Sequence, residues 1–159
     1  MRLPAFLLSL FAAATVAGVG ASATPPAADA SRWPALQQYA GKVVLLDFWA
    51  SRCSPCLKSF PWMNELQQKH GADGFVVVAI NVDQDRKLAD AFLSKRPAQF
   101  RVEYDPAGAI ARKFDVQAMP TSFLIDRQGK VRFRHEGFKE KSRDTREKQL
   151  AQLLEEPAK

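Results

Sequence analysis

The chain alternates between apolar runs and amphipathic stretches, and this alternation predicts most of its elements. Val43–Ala50 is a nearly continuous apolar run interrupted only by Asp47, and Phe75–Asn81 is a second. Runs of this length without polar alternation read as strands buried on both faces, central in a sheet. Between them, Ser54–His70 carries Leu57, Phe60, Met63 and Leu66 at helical spacing and ends at Gly71 and Gly74. Pro61 falls inside this helix and is expected to kink it. Arg86–Lys95 repeats the helical pattern through Leu88, Ala91, Phe92 and Lys95. Phe100–Tyr104 reads as a short strand, Asp105–Gly108 as a turn and Ala109–Phe114 as a short helix. Ser122–Asp126 and Lys130–Glu136 read as strands joined by Arg127-Gln128-Gly129, with Val131 and Phe133 alternating with charges on a half-exposed strand. Upstream, Ser31–Tyr39 sets Trp33, Leu36 and Tyr39 at helical intervals. Downstream, Leu150, Leu153 and Leu154 indicate a last helix.

The order strand–helix–strand implies a parallel pair with a right-handed crossover, and the late hairpin adds antiparallel strands. The expected fold class is α/β, a mixed central β-sheet flanked by helices. Composition leaves this unchanged: 47% apolar and 25% charged residues in 159 are those of one ordinary globular domain. Net charge is +6, but the basic residues between Arg127 and Lys148 alternate with acids, as in Lys139-Glu140-Lys141. That is a solvated face and lacks the one-sided basic stripe of a nucleic-acid surface, so no nucleic-acid partner is expected.

The N-terminus changes the picture more. Arg2 precedes an uncharged stretch, Leu3–Ala23, that closes on the small-X-small sequence Ala21-Ser22-Ala23. Residues 1–23 read as a signal peptide, 24–32 as a flexible mature N-terminus and 33–159 as the folded domain. About 20 apolar residues could instead anchor the chain in a bilayer. Pro4, Gly18, Gly20 and the cleavage box favour removal. The expected location is periplasmic, with membrane contact only through an unprocessed leader.

Cys53 and Cys56 are the only cysteines. A pair outside the cytoplasm could be a structural staple, a metal clip or a reactive dithiol. A bridge over two intervening residues closes a very short loop and constrains the unfolded chain weakly. A metal site would have to recruit His70 and His135, far apart and unlike a compact zinc module, so no metal is expected. A dithiol suits the spacing. The first thiol opens a helix, where unpaired N–H groups and the dipole favour its thiolate. The second lies one turn inward, within reach of a mixed disulfide made by the first. Pro55 fixes φ in the first helical turn, where its missing N–H costs nothing. Ser54 and Pro55 would tune the redox potential. Arg52 either adds positive charge beside Cys53 or points into solvent.

The run Asp47-Phe48-Trp49-Ala50-Ser51-Arg52-Cys53-Ser54-Pro55-Cys56 resembles the active-site segment of thioredoxins, and Met119-Pro120-Thr121 matches their later X-Pro-Thr loop. The strand-plus-helix stretch before that loop and Phe60–Leu66 after the cysteines resemble the exported TlpA- and ResA-like branch. The resemblance covers roughly residues 33–138. It implies a thioredoxin fold with an extra strand–helix insertion before a cis-proline at Pro120, although X-Pro bonds in general are cis only about one time in twenty. It implies Cys53 as nucleophile, Cys56 as resolving thiol and a buried Asp47 as general base for Cys56. The pattern alone would also allow Asp47 as an exposed strand-end residue. Met119, Pro120 and Thr121 would bind an extended substrate, and Trp49, otherwise a packing residue, would border the groove.

The implied activity is thiol-disulfide oxidoreduction with no cofactor beyond the Cys53–Cys56 redox couple. Its partners would be protein thiols and disulfides and a membrane electron donor of the DsbD/CcdA kind, and the chain would be monomeric. One departure narrows this. Cytochrome c maturation reductases of the branch usually carry Glu three residues after the second cysteine and often Asn at the Asp47 position. Here Ser59 and Asp47 stand there, so general reduction or exchange is expected ahead of a dedicated haem-pathway role. A redox-inert binding or chaperone module is the non-enzymatic alternative.

Overall fold

The computed structural model describes residues 33–158. The proposed leader and the segment 24–32 lie outside the described residues. Five strands form one sheet in the order β3-β2-β1-β4-β5. β1 (Val43–Trp49) and β2 (Phe75–Asn81) are its parallel centre, joined by helix α1 (Ser54–His70). α2 (Arg86–Lys95) then returns the chain to β3 (Arg101–Tyr104), parallel to β2 at the edge. The short helix α3 (Ala109–Lys113) precedes β4 (Thr121–Ile125), which runs antiparallel to β1 and turns into β5 (Val131–Glu136). α4 (Arg143–Glu155) closes the chain. The thioredoxin fold is thus present, with β3 and α3 standing between β2 and the loop before β4.

Every residue of β1 is buried, because its two faces meet two different cores. Val43, Leu45 and Trp49 pack beneath α1, α2 and α4 with Phe60, Met63, Leu66, Phe92, Leu150 and Leu153. Val44, Leu46 and Phe48 pack on the other side with Trp33, Leu36, Phe114 and Phe123. Strand alternation therefore sends Asp47 toward the α1/α4 side. Trp49, Phe60 and Phe92 form an aromatic triangle there, each pair of ring centroids 4.8 Å apart.

Two expectations are corrected. The first helical segment is a 3₁₀ helix, Pro34–Tyr39, with Trp33 and Leu36 buried three apart as that tighter geometry allows. α2 buries Ala89 and Phe92, while Leu88 is exposed, since only the narrow face toward Trp49 meets the core. Pro61 lies within α1 on its exposed face. Some strand ends also shift by one residue.

Candidate active site: a dithiol at the start of α1

Cys53 and Cys56 are bonded to each other, S–S 2.06 Å, at the N-terminus of α1. Cys53 is the N-cap: its backbone is extended, and its Sγ accepts the backbone N–H of Cys56 at 3.2 Å. Its carbonyl accepts from Cys56 and Leu57 at 3.1 and 3.3 Å and so begins the helical ladder. Pro55 lies in the first turn as expected. The two sulfurs are not equivalent. Cys53 is half-buried and reachable, whereas Cys56 is fully buried in the core under α1. Arg52 and Ser54 are exposed.

Neighbouring elements hold the turn that carries Cys53. The Ser51 N–H donates to Asp83 Oδ2 at 2.9 Å and its hydroxyl to Asp83 Oδ1 at 3.1 Å. Asp83 is fixed in turn by Asn81, whose Nδ2 donates to Oδ2 at 2.8 Å and whose Oδ1 accepts the Asp83 N–H at 3.1 Å. The loop after β2 thus clamps the loop after β1. Sequence reasoning missed this clamp. Its signal is a polar pair, Asn81 and Asp83, at the carboxyl end of a central parallel strand, where α/β sheets place their sites.

Met119–Pro120 is cis. Thr121 pairs with Phe48 near the end of β1, so the loop before β4 lies beside the loop that follows β1. The Pro120 carbonyl accepts from the Gly137 N–H at 2.8 Å, and the Thr121 hydroxyl donates to the Ala118 carbonyl at 2.8 Å. Among the described loop and turn hydrogen bonds, none uses the Met119 backbone. Met119 is half-buried and touches both cores. Two residues expected at the substrate groove lie inside the protein. Trp49 has no exposed surface and belongs to the aromatic triangle, because strand alternation turns it inward under α1. Thr121 is equally buried, and its side chain braces the loop.

Asp47 is 2% exposed, and its Oδ2 has no hydrogen-bond partner in the protein. Burial pushes its carboxyl up to about 8, against an opposing pull from the Arg146 guanidinium. Its cross-strand neighbours are Ala79 on β2 and Ser122 on β4, and Ser122 pairs onward with His135 on β5. The buried reading of Asp47 therefore holds, with Cys56 in the same core. No signal in the sequence picks out Arg146, which stands in the charged run Arg143-Asp144-Thr145-Arg146-Glu147-Lys148.

The fold, with a half-buried cysteine capping a helix above a fully buried one, is that of the thioredoxin class. The Redoxin family model matches residues 24–154, and the chain belongs to that family as a ResA-like member of the thioredoxin superfamily. It is 38% identical over 96 residues to the thiol-disulfide oxidoreductase ResA of Bacillus thuringiensis subsp. konkukian, covering 60% of this chain and 56% of that one. The aligned region thus spans just over half the length of such curated relatives. Among solved structures, it resembles one assigned as thiol:disulfide interchange protein DsbE from Chlorobium tepidum, with 50% identity and TM-score 0.74 over 75% of this chain and 84% of that one. The exposed lipoprotein thioredoxin of Streptococcus pneumoniae matches at 32% identity and TM-score 0.65, over 74% of this chain and 90% of its own.

Proposed function

We propose that this protein is an exported thiol-disulfide oxidoreductase that reduces or exchanges disulfides in extracytoplasmic proteins. The observation that carries the reading is the asymmetric pair: a reachable Cys53 capping a helix above a buried Cys56 and a buried, protonatable Asp47. In the reduced enzyme, the Cys53 thiolate attacks one sulfur of a substrate disulfide. A Cys53–substrate disulfide forms and the other substrate sulfur leaves as a thiolate. Cys56 then loses its proton to the Asp47 carboxylate and attacks Cys53 Sγ, which releases the second substrate sulfur. The enzyme ends oxidised, as the bonded pair shows it, and the substrate gains two electrons. The unoccupied Met119 backbone would receive an extended substrate segment by strand addition. Arg52 and Ser54 flank the attacking thiol.

The family match beginning at residue 24, directly after Ala23, supports removal of residues 1–23. Among the described residues no helix is long and apolar enough to cross a membrane. We place the folded domain in the periplasm, acting as a monomer without added cofactor and re-reduced by a membrane donor of the DsbD/CcdA kind.

Two variants test the reading. Cys53→Ser should abolish reduction of insulin disulfides; equal activity in variant and parent would leave only a redox-inert binding module. Cys56→Ser should accumulate mixed disulfides through Cys53, and mass spectrometry of the trapped species identifies the substrates. Diverse secreted proteins support general reduction, whereas apocytochromes alone would assign the chain to cytochrome c maturation.

A further inference from the structure

Beneath the dithiol, three strands place polar residues side by side on one face of the sheet. Asp47, Ser122 and His135 are successive cross-strand partners on β1, β4 and β5, within about 5 Å of their neighbours as paired strand residues are. α4 covers this row. Arg146, 7% exposed, turns its guanidinium inward between the rings of Phe138 and Trp62, 5.5 and 6.0 Å from their centroids. One terminal nitrogen donates to the Gly137 carbonyl at 2.7 Å, but Nε has no partner. Asp47 Oδ2 and His135 Nδ1 are likewise buried without partners. With the Trp49 indole nitrogen on β1, this makes four orphaned polar atoms on three elements that share one core, an unusual number, since buried polar groups are nearly always paired.

The charges that can act on Asp47 are few. β2 offers Ala79 and β4 offers Ser122, neither titratable. Among the buried residues of α1 only Cys56 carries an ionisable group, and only in the reduced protein. β5 offers His135, whose Nε2 is engaged with Gln149 and which burial and Arg146 hold on its neutral side. On α4, Glu147 is occupied by the Trp62 indole N–H at 2.8 Å and by Arg143. Arg146 is thus the one cation within this buried set.

We propose that Arg146 is a positioning residue for the active site: from the last helix it presents a buried cation to Asp47 and favours the carboxylate that receives the Cys56 proton. A guanidinium holds its charge on burial, and an ammonium at the same place would hold its own while it faces a carboxylate. The bland alternative is a packing arginine that only ties α4 to Gly137. The kinetic consequence rests on Asp47 as base for Cys56; the charge coupling does not.

The test uses the full chain, reduced, with 13C-labelled aspartate, and follows the Asp47 carboxyl by NMR between pH 5 and 10. In Arg146→Met the Asp47 titration should move upward by about one pH unit, at the low end of what a nearby opposite charge supplies. Arg146→Lys, which keeps the charge but loses the planar fork, should titrate close to the parent. An unmoved titration in the Met variant, or equal movement in the Met and Lys variants, overturns the proposal. Arg146→Gln replaces the Met variant if that protein does not fold. Insulin reduction provides the second readout. With Asp47 as base, Arg146→Met slows the reaction up to about tenfold near pH 7 and converges on the parent rate above pH 9. A titration that moves while the rate profile does not keeps Arg146 in its role and removes Asp47 as the base.

Discussion

At the scale of single residues, Asp47 has two measurable consequences. Asp47→Asn should slow disulfide reduction at pH 8 by about tenfold or more and remove the alkaline rise in rate, since the amide accepts no proton. The same substitution should stabilise the fold. Below about pH 4, both the folded and unfolded Asp47 are protonated and no penalty exists. From there to about pH 8, the unfolded chain releases a proton that the folded protein keeps, so stability falls as pH rises. Denaturant titrations should therefore show the variant ahead by roughly 2 kcal/mol or more at pH 8, with the gap closing toward pH 4. A gap that is constant across this range would place Asp47 in contact with solvent. The conflict between the two effects is what a functional group buried for its chemistry produces.

At the scale of elements, the site depends on loops held from outside. Asp83 accepts the N–H and hydroxyl of Ser51, two residues before Cys53, and the amide of Asn81. Asp83→Ala leaves these donors unpaired and should cost about 1–2 kcal/mol, with slower insulin reduction because the Cys53 turn loosens. A variant with parent-like activity would show that α1 alone positions the thiol. Far from the site, Arg127 ties the β4–β5 turn to three other segments, donating to the carbonyls of Gly41, Asp73, Leu154 and Glu156. Gly74 faces it with φ +82°, and a Cβ there would stand 2.8 Å from Arg127 Nη1. Gly74→Ala should lower stability by about 1–2 kcal/mol without altering the pH profile of reduction. Elements were the most legible level in the sequence. The apolar runs of β1 and β2 give bounds within a residue because both faces of each strand are covered. On α2 the helical pattern finds the buried Phe92 but also includes the exposed Leu88 and Ala91, since Leu88 is as apolar as its neighbours and only the position of Trp49 decides which stripe is buried.

At the scale of the whole molecule, two buried titratable groups shape the pH dependence of stability in opposite senses. Burial lowers His135, so the unfolded chain binds a proton that the folded one refuses, and stability falls as pH drops below about 6.5. Asp47 acts against stability as pH rises toward 8. Just below pH 6.5 the two slopes oppose each other, and between 6.5 and 8 only the Asp47 slope remains. Unfolding free energy should therefore decline from pH 6.5 to 8, and that decline should vanish in Asp47→Asn. A decline that persists there assigns it to other groups.

The sequence by itself determined the order of elements, the dithiol at the mouth of a helix and, through family resemblance, the cis-proline loop and the buried aspartate. These are local or motif-borne properties: periodicity, turn chemistry and spacing read along one stretch of chain. Only the tertiary structure decided that Trp49 and Thr121 are buried, that Asp83 clamps the Cys53 turn, and that Arg146 turns inward against Trp62 and Phe138. Each depends on which distant segment covers a given face. An arginine in a charged helical run looks the same whether it meets water or a buried carboxyl about a hundred residues away, and packing alone separates the two.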